Sequence, residues 1–199
     1  MNFTDDTIAA CRAQFPAFQR DAIFLDGPAG SQVPQCVIDA ISDYLAHRNA
    51  NHGGEFATSR ESDAGLDAAH AALADFVGAD DPDCIAFGAN MTSLTFALSR
   101  ALAREWSSSD EIVISQLDHD ANFSPWQLAA EDAGATVREV KLQTADCTLD
   151  LAHLREQITD RTRLVTVCAA SNFSGSVTPP SRSVIRIWPA LPAPPPPTP

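Results

Sequence analysis

Glu111-Ile112-Val113-Ile114-Ser115-Gln116-Leu117-Asp118-His119-Asp120-Ala121-Asn122-Phe123-Ser124-Pro125-Trp126-Gln127 is the stretch that decides the fold class. Its opening run of β-branched residues reads as a buried strand. A polar loop follows, and then a helix start: Ser124 in the cap position, Pro125 in the first helical position and Gln127 in the place a capping box fills with Glu or Gln. A strand that runs through a polar loop into a helix is one arm of a parallel βαβ unit. The same alternation continues on both sides. Further strands are expected at Cys84-Ile85-Ala86-Phe87, Thr136-Val137-Arg138-Glu139-Val140-Lys141-Leu142 and Leu164-Val165-Thr166-Val167-Cys168. Between them, Leu66, Ala69, Leu73, Phe76 and Val77 recur at helical spacing before a terminating Gly78. Asn90 is placed to cap a helix through Leu94, Leu98 and Leu102, and Asp150 to cap one through Leu151, Leu154 and Ile158. The expected fold is α/β, with a mostly parallel sheet and helices on both faces.

In such a sheet, ligands gather beyond the carboxyl ends of the strands. Three segments occupy those positions. Gly88-Ala89-Asn90-Met91-Thr92-Ser93 leads into a helix whose first amides form an anion site, with Asn90 or Thr92 able to add a side-chain donor; a plain capped helix is the alternative. Gln116 to Ser124 places His119 over the crevice, able to stack on a flat ring or move a proton, or else to sit on a surface loop without a role. Asp118, His119 and Asp120 are adjacent, and neighbouring residues rarely aim at one centre, so no metal site is expected. Ala169-Ala170-Ser171-Asn172-Phe173-Ser174-Gly175 offers Asn172 as a donor to a ligand oxygen or as a residue that orders its own turn. Neither GxGxxG nor GxxxxGK[ST] occurs, so the standard dinucleotide and P-loop readings lack their residues.

The chain has 199 residues, 45% of them hydrophobic and 20% charged, an ordinary globular composition. Its formal charge of -13 would repel nucleic-acid phosphates, so no nucleic-acid partner is expected. The acidic opening Met1-Asn2-Phe3-Thr4-Asp5-Asp6 does not read as a signal peptide, and no apolar run is long enough for a membrane span. Five cysteines without a CxxC pair read as small buried thiols in a reducing compartment, which makes a cytoplasmic location the expectation.

The three crevice segments occur in the order and spacing of a known family. Phe24-Leu25-Asp26-Gly27-Pro28-Ala29-Gly30 opens the resemblance. It continues through Asn49-Ala50-Asn51-His52-Gly53-Gly54 and Ala57-Thr58-Ser59-Arg60. It then takes in Asn90-Met91-Thr92-Ser93, Asp118-His119-Asp120-Ala121-Asn122 with Pro125-Trp126-Gln127, and Ser171-Asn172-Phe173-Ser174-Gly175. Over about residues 20 to 178 the chain resembles the class V aminotransferases, particularly cysteine desulfurase-like proteins. The resemblance implies the large domain of a fold type I enzyme dependent on pyridoxal 5'-phosphate, acting on an amino acid and working as a homodimer. It also implies roles at matching positions. Asn90, Met91 and Thr92 stand for the phosphate turn that usually reads Gly-Thr-Thr-Glu; Thr92 keeps a hydroxyl, whereas Met91 offers only its amide. His119 matches the histidine that stacks on the pyridine ring, and Asn172 the asparagine near the phenolic oxygen. Asp118-His119-Asp120 departs from the family's Glu-His-His.

The family holds its cofactor covalently on a lysine that lies, with the aspartate facing the pyridine nitrogen, beyond the asparagine matched by Asn172. The single lysine here, Lys141, does not match that motif, and the catalytic cysteine of desulfurases also falls beyond this sequence. Residues 1–178 are therefore expected to form an incomplete large domain with no catalytic residue of its own, open-edged and negligible in activity alone. Residues 179–199 contain nine of the 14 prolines and are expected to form an extended, disordered proline-rich tail. A non-catalytic α/β protein that displays this tail to an SH3- or WW-type groove is the alternative reading.

Overall fold

A computed structural model describes residues 4–178, so the proline-rich segment lies outside the described residues. The described residues divide into two compact units between Phe87 and Gly88.

The second unit carries the sheet. Strands β1 (Glu111–Ser115), β2 (Thr136–Val140) and β5 (Thr162–Val165) pair in the order β2-β1-β5, all parallel. All five residues of β1 are buried, as a central strand covered on both faces requires. Successive side chains of a strand point to opposite faces, and β1 shows both. Ile112 and Ile114 pack with Trp126 and Ala130 of α5 (Ser124–Ala133), joined by Leu102 at the end of α4 (Met91–Leu102). Val113 faces the other way, against Val140 and Leu154, the latter on α6 (Leu151–Gln157). The expected helix-covered parallel sheet is thus present on both faces.

Two of the expected caps are built as read. Asn90 accepts a bond from the Ser93 amide at 2.9 Å, and Asp150 accepts from the amides of Ala152 and His153, both at 3.0 Å. Ser124 differs: it is already inside α5 and donates its hydroxyl to Asp120 instead of accepting from a backbone amide. Gln127 likewise bonds forward to Glu131 rather than back toward the cap. The loop before α5 supplies its own acceptor, the Phe123 carbonyl, which receives the Trp126 and Gln127 amides.

Three strand expectations need correction. Cys84 closes a 3-10 turn, Pro82–Cys84, capped by Asp81, and 85–87 are not a strand, because an extended segment becomes one only when a neighbour completes its ladder. The 136–142 run breaks at Lys141, whose amide bonds the His153 ring instead; Leu142–Gln143 (β3) then pairs antiparallel with Thr148–Leu149 (β4). The last strand begins earlier than expected, at Thr162, and ends at Val165, although the Thr166 amide still donates to the Val113 carbonyl at 2.9 Å.

The first unit holds α1 (Asp5–Arg12), α2 (Gln35–His47) and α3 (Ala57–Val77). Gly78 ends α3 in the left-handed conformation at φ 71°, as its position after Val77 suggested. Neither α1 nor α2 has a buried residue, and α3 buries only Ser59, Ser62 and Ala74. Polar contacts tie this unit locally: the Ser59 hydroxyl donates to the Asn51 carbonyl and accepts from the Gly54 amide, both at 2.7 Å. The cysteines were expected to be buried, but Cys11, Cys36, Cys84 and Cys147 are exposed. The first two ride on the uncovered helices, and the other two sit in tight turns.

Candidate functional site

The carboxyl ends of β1 and β5 and the first turn of α4 enclose a cleft of about 490 Å³. Asn90, Met91, Thr92, His119 and Asn172 all line it, so the five residues singled out from the sequence meet at one place.

The α4 wall is a helix N-terminus. Asn90 spends its side-chain oxygen on the Ser93 amide, while the Met91 and Thr92 amides and the Thr92 hydroxyl have no acceptor or donor among the described residues. Unpaired amides at the positive end of a helix form an anion site without requiring a basic side chain, and no Lys or Arg lines this cleft. Gly88 lets the chain enter that turn closely: a Cβ there would stand 2.6 Å from the Leu94 side chain.

The β1 wall is a loop with its own wiring. The Ala121 amide donates to His119 Nδ1 at 3.0 Å, which makes Nδ1 the acceptor and leaves the ring's proton on Nε2. Asp118 binds the loop to β1 and to the segment after β5. Its carboxylate accepts from the Ser115 hydroxyl, from the Cys168 amide at 3.1 Å and from Asn122 Nδ2 at 2.6 Å. Asn122 in turn accepts from the buried Trp126 indole N–H at 3.0 Å.

The β5 wall ends in a tight turn. The Ser171 hydroxyl accepts from the Phe173 and Ser174 amides, and the Gly175 amide closes back on the Ser171 carbonyl. That leaves the Asn172 side chain exposed at the cleft with no partner of its own among the described residues. Cys168 also lines the cleft. Burial, and then the Asp118 carboxylate, push its thiol up, so it stays protonated and weakly nucleophilic near neutrality.

The motif holding Asp118, Asn122 and Trp126 was visible in the sequence, but their joint role was not assigned. The available signal was their spacing at intervals of four, which brings successive side chains together across a helical turn. The link from Asp118 to Cys168 spans 50 residues and left no local trace.

A probable cysteine desulfurase of Halobacterium salinarum is 36% identical over 180 residues, an alignment covering 86% of this chain and 43% of that protein. Among solved structures, the cysteine desulfurase CsdA of Escherichia coli superposes with a TM-score of 0.75 at 28% identity, over 89% of this chain and 44% of that one. A C-DES mutant with glycine covalently linked to its PLP cofactor shares the fold, with a TM-score of 0.68 at 23% identity, over 84% of this chain and 43% of that one. The chain thus spans less than half the length of the curated relatives it matches. The aminotransferase class-V family matches residues 23–188, ten residues past the last one described, and the chain belongs to that family.

Proposed function

We propose that the cleft is the phosphate- and ring-binding part of a pyridoxal 5'-phosphate site, serving an amino-acid substrate in a protein of the cysteine desulfurase kind. The observation that carries this is the convergence of Thr92, His119 and Asn172 on one cleft from three separate places in the chain: the first turn of α4, the loop between β1 and α5, and the turn after β5. Relatives named as cysteine desulfurases, and a solved neighbour with a linked PLP cofactor, support it.

The donor set fits the group. The Met91 and Thr92 amides, with the Thr92 hydroxyl, would hold the phosphate at the α4 N-terminus. The His119 ring would cover the pyridine face, and Asn172 Nδ2 would donate to the phenolic oxygen. When bound, this cofactor supplies an electron sink for charge developing at a substrate α-carbon. The chain contributes position, charge stabilisation and exclusion of water. It does not contribute the covalent amine: Lys141, its one lysine, follows β2 and does not line the cleft. Residues 1–199 alone therefore bind the cofactor non-covalently and turn over amino acids negligibly.

Titration of the purified chain with pyridoxal phosphate, followed by visible absorbance, tests this. Saturable binding is expected, with Thr92→Val and His119→Ala each weakening it by roughly tenfold, the worth of one good polar contact. Borohydride treatment and intact mass should show no stoichiometric adduct on the protein. Binding unaffected by both substitutions would overturn the assignment. The homodimer of the family is proposed for this protein too, with sedimentation velocity as its check. A cytoplasmic setting suits its five free thiols.

A further inference from the structure

We infer that Asp118 is the positioning residue of the cleft, setting the orientation and tautomer of His119 through hydrogen bonds it makes to β1 and to the segment that follows β5. The observations are independent of any ligand. Among the described residues, Asp118 is the one side chain bonded both to β1, through the Ser115 hydroxyl, and to the segment after β5, through the Cys168 amide. It also holds Asn122, the last residue of the turn that begins beside His119, and Asn122 is anchored in turn by the Trp126 indole. The three partners are neutral donors, and the carboxylate gains direction from three bonds at once. Between its two attachments, at Asp118 and Asn122, the loop has little freedom. The Ala121 amide is thereby aimed at His119 Nδ1, and the ring can only present Nε2–H outward.

The chain of cause runs from a buried core residue to an exposed ring. Trp126 packs beneath the sheet with Ile112 and Ile114, orders Asn122, and with Asp118 fixes the loop. A ring so fixed offers a flat face to the cleft at little entropic cost, because its rotamer is chosen before a ligand arrives. Asp118 touches no reacting atom in this arrangement. Its part in ligand binding rests on the cofactor reading above, whereas its control of His119 does not.

The test is nitrogen-15 NMR of the histidine rings in the full chain, with His119→Gln identifying the His119 signals. Wild type is expected to show His119 as the Nε2–H tautomer. Asp118→Asn replaces an acceptor oxygen by an amide N–H₂ and is expected to give averaged tautomer shifts at His119, while His153, held by the Lys141 amide, is unchanged. Ser115→Ala and Trp126→Phe each remove one donor, the second while keeping an aromatic ring in the core at the cost of a small cavity, and serve if Asp118→Asn does not fold. Each is expected to shift His119 part of the way, and Asp118→Glu to restore more of the wild-type signature than Asp118→Asn. A His119 tautomer identical to wild type in Asp118→Asn, or in both single-donor variants, would overturn the inference. Pyridoxal phosphate titration of the same variants separates the two claims. Roughly tenfold weaker binding that tracks the tautomer change supports both. Tautomer change with wild-type binding would sink the cofactor reading and leave the positioning role standing.

Discussion

At the amino end of β1, Glu111 is fully buried and meets cations: Arg138 grips both its oxygens, at 2.7 and 2.9 Å, Arg161 adds a third guanidinium contact, and the Thr159 hydroxyl donates at 2.7 Å. Next to it, Asp110 bonds Arg163 at 2.6 Å. At the carboxyl end of the same region, the partners of Asp118 among the described residues are neutral donors, and the residues around it leave amides and a ring N–H open to the cleft. The two ends therefore divide the work. Charge paired with charge joins β1 to β2 and β5, which is a device for stability. Charge held by neutral groups gives direction and leaves neighbouring donors unspent, which is what a binding site needs. The bulge in the β1–β5 pairing, where Arg163 is skipped between Thr162 and Leu164, sits at the clamped end and serves it by bringing Arg163 to Asp110.

The most damaging way to probe this division is Glu111→Ala. It leaves Arg138 facing the interior without its partner, and breaking such a pair costs about 3 kcal/mol, the low end of the usual range because both arginines reach solvent. Urea unfolding should report that loss, while the fraction still folded binds pyridoxal phosphate as wild type does. Full stability in Glu111→Ala, or loss of binding in its folded fraction, would erase the distinction between the two ends.

Acid titration is the gentler probe. The Arg138 bond, against the opposing effect of burial, holds Glu111 below its ordinary value, and the Arg163 bond does the same for Asp110. A carboxylate whose folded pKa is depressed adds stability that is fully present above its unfolded pKa and disappears as pH falls through the folded one. Stability should therefore be flat with respect to these groups from pH 7 to about 5, and fall below about pH 4. In Glu111→Gln the decline should be shallower, which thermal melts across that range would show.

What the sequence disclosed was local. The β-branched run of β1, the Asn90 and Asp150 caps, the Gly78 terminator, the place of Thr92 in the first turn of its helix and those of His119 and Asn172 after β1 and β5 each depend on residues within a turn or two. The clamp could not be read this way. Glu111 finds Arg138 from 27 residues away and Arg161 from 50, and only the strand order β2-β1-β5 brings them together. Ser124 misled because its motif was complete on paper, yet Asp120 one turn earlier competed for its hydroxyl. Cys84 to Phe87 misled for the opposite reason: their β propensity is sound, but a strand also needs a neighbour.

Asn90 gives the smallest stability change and the finest cut between support and site, because it serves both. Asn90→Ala removes the acceptor for the Ser93 amide and should cost about 1 kcal/mol while leaving the Met91 and Thr92 amides in place. Asn90→Asp keeps an acceptor of the same shape and complements the helix dipole, so stability should change by less than about 0.5 kcal/mol. It also sets a carboxylate beside those two amides, where it repels a phosphate. If the α4 terminus is the phosphate seat, Asn90→Asp folds like wild type in urea yet binds pyridoxal phosphate more weakly than Asn90→Ala does. The reverse ranking would mean that this helix end is a cap and nothing more.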